Sequence, residues 1–267
     1  MLLAIETGVE PEYEQRLIAS ALAAGWEVQV VTHIPFTQEW RDMPAGLLER
    51  TDVWFHGSIA AVKAAQATSC WQIHAPWDDF QVTQYSQKLG GRMVNFPFNR
   101  WLLNQLDDPD FDIFGREAED DTVFIRPDGA NKVFNGGTIS KDTFEEQLKL
   151  ITFYDPPGDT LCCVSKPKRI EQEARFLIVD GKLITGSLYR IGYNSLRLEA
   201  PPHLMEEAER ALAYALSCGF NPAPSWVLDL GYTGGYWNIM EVGPSACCGL
   251  YACDTDKFIT ALTNVLQ

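Results

Sequence analysis

Two carboxylates near the end of the chain have the spacing expected of a ligand pair on a β-hairpin. Asp229 and Glu241 flank a glycine-rich connection at residues 231–235. If residues 234–236 form the loop, the two side chains lie directly opposite each other; a shifted register leaves them diagonal on one face. Like charges this close raise each other's pKa unless a cation intervenes, and carboxylate oxygens suit Mg2+ bound with substrate phosphates. The spacing indicates a metal site, with a solvated hairpin face as the alternative.

A second group of residues combines basic side chains with glycines. Arg126 ends an apolar strand, and the segment DGANKVFNGG that follows Pro127 supplies Lys132, Gly136 and Gly137. Glycine lets backbone amides approach phosphate oxygens, and arginine adds a bidentate donor. This pattern favours a flexible phosphate lid. The P-loop pattern GxxxxGK[ST] is absent from the sequence, and a plain hairpin connection remains the alternative.

The third group is spread over two neighbouring predicted strands that follow Lys166. Glu173 and Arg175 are two residues apart, so both project from one strand face, and Arg190 returns to that face across a hairpin with an Asp-Gly turn. Arginines among apolar neighbours in an acidic protein need a partner. That partner is either a structural carboxylate such as Glu173 or an anionic ligand.

The elements that hold these groups change in character along the chain. The first part alternates strand and helix in a β-α-β pattern, which predicts an α/β domain, whereas short strands with glycine turns and a few helices dominate from about residue 120. We therefore predict an N-terminal α/β domain at residues 1–95 and a second, α+β domain at residues 96–267. The second domain divides into a lid lobe at about 100–165 and a C-terminal lobe at about 166–267.

Composition limits the classes of function. The chain has 267 residues, 46% of them hydrophobic, enough for one large core or for several lobes around a cleft. A formal net charge of −15 argues against nonspecific binding to nucleic acid or anionic membrane. No apolar run reaches membrane-spanning length, so we expect a cytosolic protein. The seven cysteines show no zinc or CxxC spacing, and we expect buried thiols.

Two features of the first domain have competing interpretations. The tripeptide His56-Gly57-Ser58 links a strand to an alanine-rich helix, and it is either a capped helix start or a ligand loop at the end of a strand. Aromatic side chains are also frequent here, and a core role is favoured over a place in a substrate pocket. They are Trp54, Phe55, Trp71 and Trp77.

In their order along the chain, the three groups resemble the ATP-grasp superfamily, in which an adenine nucleotide lies between two α+β lobes. The resemblance covers residues 100–267, and residues 1–95 look like the α/β domain that commonly precedes the grasp. The segment FIRP stands where the family usually has a strand ending in Lys-Pro. Arg126 is similar to the substitution found in one branch of the superfamily.

The resemblance implies a role for each group. The segment LCCVS resembles the strand that meets adenine, and Glu173 and Arg175 match the acidic residue and following arginine of the family. Arg190 resembles the basic residue that stabilises an acyl phosphate or the transferred phosphoryl group. The residues implied to bind ATP are Arg126, Lys132, Gly136, Gly137, Cys163, Val164, Lys166 and Glu173; those implied to act in catalysis are Arg175 and Arg190; those implied to bind Mg2+ are Asp229 and Glu241.

One departure from the family concerns the metal ligands. The usual ending Glu-x-Asn is replaced by a glycine at residue 243, so the third ligand is missing unless Asn238 or Ser245 compensates. The implied reaction is ATP-dependent ligation of a small-molecule or peptide carboxylate to an amine through an acyl phosphate. A kinase on the same fold and a nucleotide-binding protein without turnover are the alternatives.

Overall fold

Three β-sheets formed by successive parts of the chain organise the computed structural model, which describes residues 1–8, 10–106, 108, 113–117, 120–130, 132–153 and 155–266. The first sheet has the strand order β3-β2-β1-β4, and β1 pairs with β2 and β4 in parallel. Helix α1 connects the parallel strands β1 and β2, whereas the chain passes from β2 to β4 through β3 and a loop. The elements are β1 (Leu2–Glu6), α1 (Pro11–Ala23), β2 (Glu27–His33), β3 (Trp40–Arg41), β4 (Val53–His56) and α2 (Ile59–Thr68).

The second sheet, called the lid sheet here, is antiparallel with the order β5-β8-β6-β7. Apolar side chains from its strands and helices form a separate core that includes Val123, Ile125 and Val164. Its elements are β5 (Asn99–Leu102), α4 (Ile113–Glu117), β6 (Thr122–Pro127), β7 (Gly137–Ser140), α5 (Phe144–Ile151) and β8 (Leu161–Ser165), with α3 (Val82–Leu89) preceding them in the chain.

The third sheet, called the C-terminal sheet, is antiparallel with the order β11-β10-β9-β12-β13. Together with the lid sheet it forms the two α+β lobes, and the first sheet supplies the α/β part, so the predicted fold class is confirmed. Its elements are β9 (Gln172–Val179), β10 (Lys182–Ile191), β11 (Asn194–Glu199), α6 (Pro202–Ser217), β12 (Ser225–Thr233), β13 (Tyr236–Pro244) and α7 (Thr255–Leu266).

The two faces of the C-terminal sheet pack against different partners. Phe176 and Leu228 lie in the core that includes α3 and α6. Leu177 on the other face packs with α1, α7 and the first sheet. Because side chains alternate along a strand, this second face continues from Leu177 to Arg175 and Glu173, where it becomes charged. The charged end of the sheet faces the lid sheet.

Several local predictions are confirmed. Asp180 and Gly181 form a two-residue turn with φ of 51° and 67°, the left-handed conformation that such hairpins require. Ser58 caps α2 by accepting a hydrogen bond from the amide of Ala61 at 3.2 Å, so the tripeptide at residues 56–58 is a capped helix start.

Burial separates the aromatic and cysteine side chains into two sets. Trp54, Phe55 and Trp71 are core residues, as expected, whereas Trp77 is only partly buried. The expectation of buried thiols is wrong for Cys70, which is exposed near the end of a surface helix, and Cys218 and Cys247 are half-buried. The other four cysteines are buried: Cys162, Cys163, Cys248 and Cys253.

The segment before the predicted boundary at residue 95 packs with the later part of the chain. Phe80, Tyr85 and Met93 belong to the core between α3, α6 and the C-terminal sheet. The domain boundary at residue 95 stays a prediction. These contacts show that residues 80–94 pack against the second domain. Among the described residues, none of the helices combines the length and apolar character that a membrane span requires.

Candidate active site

A cavity of about 760 Å³ lies between the lid sheet and the C-terminal sheet. The lid side contributes the end of β6 and the connection to β7, and the other side contributes β9, the β10–β11 turn and β13. Seven of the predicted site residues line it: Arg126, Lys132, Gly136, Gly137, Glu173, Arg190 and Glu241. The structure thus brings together residues that are separated by up to 115 positions in the sequence.

The cavity concentrates positive charge in an acidic protein. Five basic side chains and three carboxylates are found among the described residues that line it, although the chain as a whole has a net charge of −15. Lys168 and Arg169 belong to this set and were missed by the sequence analysis. The signal for them was present, because they follow Lys166-Pro167 in the run that links β8 to β9.

The hairpin that carries the two predicted metal ligands differs from prediction in its turn. Gly234 and Gly235 alone form the turn, with φ of 59° and 88° and Thr233 paired to Tyr236. The two-residue turn would by itself shift the register. A bulge at residue 240 compensates, and Asp229 still pairs with residue 241, as predicted.

Asp229 is buried beneath the cavity in an ion pair with Arg175. Its Oδ1 accepts from Arg175 Nε at 2.8 Å and its Oδ2 from Nη2 at 2.7 Å. Burial by itself lowers the pKa of Arg175, but the charge and hydrogen bonds of Asp229 outweigh this and raise it, so the guanidinium stays protonated. Neither residue lines the cavity. The prediction that both belong to the ligand site remains untested, and the structure places them below it.

Glu241 faces the cavity and forms an ion pair that bridges the two sheets. Arg126 Nη2 on the lid side donates to Glu241 Oε1 at 2.8 Å, and Lys132 Nζ lies 4.0 Å from Oε2. Burial raises the pKa of Glu241, but the charges of Arg126, Lys132 and Arg175 together hold it below its ordinary value. The carboxylate is therefore ionised at neutral pH.

Glu173 and Arg190 form a second ion pair at the cavity wall, directly across the β9–β10 ladder. Burial raises the pKa of Glu173, against a hydrogen bond with Tyr189 and the charge of Arg190. Arg190 Nε is buried, and no acceptor among the described residues reaches it. The Arg190 side chain is 38% exposed and lines the cavity, so its guanidinium can meet an anionic ligand there, although Nε itself is covered.

The lid connection packs closely onto the strand that carries Arg126. A Cβ added at Gly136 would lie 3.0 Å from Arg126 Cβ and 3.3 Å from the carbonyl oxygen of Ile125. At Gly137 the corresponding space is empty to 4 Å. The first glycine therefore permits close packing, and the second leaves room at the cavity wall.

The predicted adenine strand is in part displaced from the cavity. Val164 is fully buried in the lid core, and β8 is paired on both sides through this residue, while Lys166 is exposed outside the lining. Cys163 lines a small cavity of about 10 Å³ beside the main one. Its wall is mainly apolar and is shared in part with the main cavity: Val82, Met93, Asn95, Phe98, Phe124, Arg126, Cys163, Ser165 and Met240.

The residues present fit a nucleotide better than they fit the predicted metal pair. The basic wall suits phosphates, and a small recess beside it is lined mainly by apolar side chains. For a metal, the described residues contain no group of three or more His, Cys, Asp and Glu arranged to hold an ion. Ser245 is fully buried with its hydroxyl bonded to Ser225 at 2.6 Å, and Asn238 does not line the cavity. Glu241 is the predicted ligand that reaches it.

Comparisons with known proteins agree with this architecture. Residues 80–262 match the model of an ATP-grasp domain family, family 3 of its clade. No curated protein matches the sequence. Among solved structures, D-cycloserine synthetase DcsG is similar with a TM-score of 0.63 at 13% identity, and the match covers 100% of both chains.

Two further solved structures are similar at the level of the fold. D-alanine–D-alanine ligase from Bacillus anthracis, in complex with ATP, has a TM-score of 0.59 at 14% identity, with 100% of this chain and 97% of that chain covered. The ligase PsnB, in complex with a minimal precursor, has a TM-score of 0.54 at 11% identity, with 98% of each chain covered.

Proposed function

We propose that the protein is an ATP- and Mg2+-dependent ligase that joins a carboxylate to an amine, because over residues 80–262 the chain belongs to an ATP-grasp domain family, the third family of its clade. The observation that carries the proposal is the basic cavity between the lid sheet and the C-terminal sheet. In a protein with a net charge of −15, five basic side chains against three carboxylates give this cavity a local excess of positive charge that suits an anionic ligand such as a triphosphate.

Adenine is assigned to the apolar recess beside the cavity. Phe124 and Met240 border both spaces, and Cys163 closes the recess from the side of β8. Ser165 and Asn95 supply polar atoms at its wall. Apolar walls with a few polar groups are typical of sites that bind a flat heterocycle. The recess has a volume of only about 10 Å³, so Met240 or Phe124 has to move when the base enters.

The phosphates are assigned to the basic side of the cavity. Arg126 and Lys132 approach from the lid and Arg190 from the C-terminal sheet, so cations surround the space from two directions. Gly137 lies at the same wall, and the space that a Cβ would fill there is open to 4 Å, which leaves room for a phosphate oxygen. Mg2+ neutralises phosphate charge when it is bound, and Glu241 is the predicted metal ligand that borders this space.

The proposed reaction has two steps. A substrate carboxylate oxygen attacks the γ-phosphorus of ATP, the bond to the bridging oxygen breaks, and ADP leaves with that electron pair. The amine then attacks the acyl carbon, inorganic phosphate leaves, and the nitrogen loses a proton to solvent. Arg126, Lys132 and Arg190 offset the negative charge that develops on the transferred group. No covalent nucleophile on the protein is required.

Magnesium-dependent release of ADP tests the proposal. Since the similar structures include a D-alanine–D-alanine ligase and a ligase bound to a peptide precursor, the panel of acids and amines starts with amino acids and short peptides. We expect release only when an acid and an amine are both present, and loss of release in Arg126→Ala. Lys182→Ala, in an exposed position after a hairpin turn, is the control for expression and folding.

The alternatives give different results in the same assay. Release with a lone hydroxyl substrate would identify a kinase. Binding of ATP without release under any condition would identify a nucleotide-binding protein that does not turn over. Either result would overturn the ligase proposal while leaving the assignment of the nucleotide cavity in place.

A further inference from the structure

Asp229 and Glu241 are paired across the same two strands, yet their environments differ. Asp229 is 1% exposed and does not line the cavity, whereas Glu241 lines it and its side chain is 18% exposed. The bulge at residue 240 lies immediately before Glu241 and bends the strand there. Bulges re-aim neighbouring side chains, so two carboxylates in register need not reach the same ligand.

Both oxygens of Asp229 are committed to Arg175. The guanidinium donates one N–H to each oxygen, at 2.8 and 2.7 Å, in the bidentate geometry that makes charged hydrogen bonds strong. The remaining contacts of Arg175 are also internal. Its Nη1 donates to the carbonyl of Gly249 at 3.1 Å, and the rings of Tyr189 and Tyr251 lie 5.8 and 5.2 Å from its guanidinium carbon.

A metal ion that used the lone pairs facing Arg175 would have to displace this guanidinium, and the other lone pairs belong to a carboxylate that is 1% exposed and outside the cavity lining. The carboxylate would then serve the metal, and the buried charge of Arg175 would lose its counterion, which is strongly unfavourable. Glu241 presents no such obstacle. Among the described residues its hydrogen-bond donor is Arg126, with Lys132 Nζ 4.0 Å from its other oxygen, and both cations line the cavity and can turn to phosphate oxygens instead.

We infer that Asp229 is the buried counterion of Arg175 and not a metal ligand, so that the divalent cation bound with ATP contacts the protein through the carboxylate of Glu241. This inference rests on the proposed function, because it concerns the cation that accompanies the nucleotide. It replaces the sequence-based pair of metal ligands with one ligand and one structural ion pair. It also removes Arg175 from contact with the reacting groups.

The test compares nucleotide affinity in Mg2+ with affinity in EDTA, using a non-hydrolysable ATP analogue and calorimetry. The informative variant is Arg175→Met/Asp229→Leu, which removes both buried charges together. The next residue pair on this face, Leu177 and Val227, is already apolar and buried, so the replacement extends an apolar surface. Exchanging a buried ion pair for apolar side chains is often tolerated, whereas removing one partner is not.

We expect the double variant to keep the ratio of the two affinities within about threefold of wild type. Glu241→Gln should bring the ratio close to unity. Thermal unfolding supplies a second readout that needs no ligand: Asp229→Asn should lower the midpoint by several degrees, and the double variant should recover most of that loss.

Two results would overturn the inference. One is a double variant that folds but loses the effect of Mg2+ as completely as Glu241→Gln does. The other is an Asp229→Asn variant with an unchanged unfolding midpoint, because a residue that serves only as a metal ligand is not needed for folding. Failure of wild-type protein to bind the analogue in either buffer would overturn the proposed function, and with it the assignment of the cation. The three failures are therefore distinguishable.

Discussion

Individual charged residues around the cavity differ in what they are paired with, and the pairing decides which of them can serve a ligand. Arg126 and Glu241 hold each other at 2.8 Å across the cavity, and each has an alternative partner once phosphates and a cation enter. Arg175 and Asp229 have no such alternative below the surface. The site thus holds its charges in pairs: Arg126–Glu241 is the exchangeable pair, Glu173–Arg190 also lines the cavity, and Arg175–Asp229 lies below it.

The exchangeable pair predicts an unusual effect of Glu241→Gln. Without Mg2+, this variant should bind an ATP analogue about tenfold more tightly than wild type, because Arg126 no longer has to leave a charged acceptor, a difference of about 1.4 kcal/mol. Affinity in EDTA, measured by calorimetry, checks this. Glu171→Gln is the matched control, since Glu171 lines the same cavity without a paired cation among the described residues. An equal gain in both variants would show a general charge effect and contradict the exchange.

Residue types and spacing predicted much of the cavity lining but not the partners. Arg126, Glu173 and Arg190 were identifiable because each lies at a strand end or on a recognisable strand face. The partner of Asp229 was not, because Arg175 lies 54 positions away and reaches it only through the β9–β12 pairing. Two acidic residues on one hairpin look alike in the sequence when they differ only in how deeply they are buried.

Among the elements, short-range signals proved more informative than long-range ones. The Asp180-Gly181 turn and the Ser58 cap follow from local chemistry, and both are present. The bulge at residue 240 has no local signature. It arises because the register that the two-residue turn would set differs from the register in which the two whole strands pair. Its consequence for Glu241 was therefore beyond the sequence pattern.

The lid connection supplies a prediction at this scale. Gly136→Ala should lower the free energy of unfolding by about 1 to 3 kcal/mol, because the new methyl group crowds the backbone and Arg126 Cβ, and packed sites tolerate extra volume poorly. Urea unfolding measures it. Gly137→Ala, one residue along with nothing within 4 Å, should change stability by less than about 0.5 kcal/mol. A comparable loss in both variants would mean that chain flexibility, not packing, explains the two glycines.

At the scale of the whole molecule, three sheets share interfaces that the sequence pattern did not specify. Helix α3 was not predicted from the sequence, and neither was the sheet that covers it. In the structure α3 packs on the C-terminal sheet, and Thr83 at its start donates to Asp128 of the lid connection through both its amide and its hydroxyl. One short helix thereby joins the two walls of the cavity.

A buried histidine at the interface between the first sheet and the C-terminal sheet predicts how stability depends on pH. His74 Nδ1 lies 2.8 Å from the hydroxyl of Ser225, which in turn lies 2.6 Å from that of Ser245. Burial lowers the pKa of His74 from its ordinary 6.5 to about 4. The unfolded chain therefore binds the proton more readily than the folded one, and stability falls as the pH drops from about 6.5 towards 4.

The loss attributable to His74 should be on the order of 3 kcal/mol at pH 4, since each unit of pKa shift corresponds to about 1.4 kcal/mol. Unfolding by urea at a series of pH values measures it, and His74→Gln should reduce the slope between pH 6.5 and 4 relative to wild type, with the slope due to His56 remaining. His203→Gln, at an exposed position on α6, is the matched control and should leave the slope unchanged. A wild-type slope that survives in His74→Gln would place the titrating group elsewhere, with buried His56, whose pKa burial lowers to about 4, as the next residue to replace.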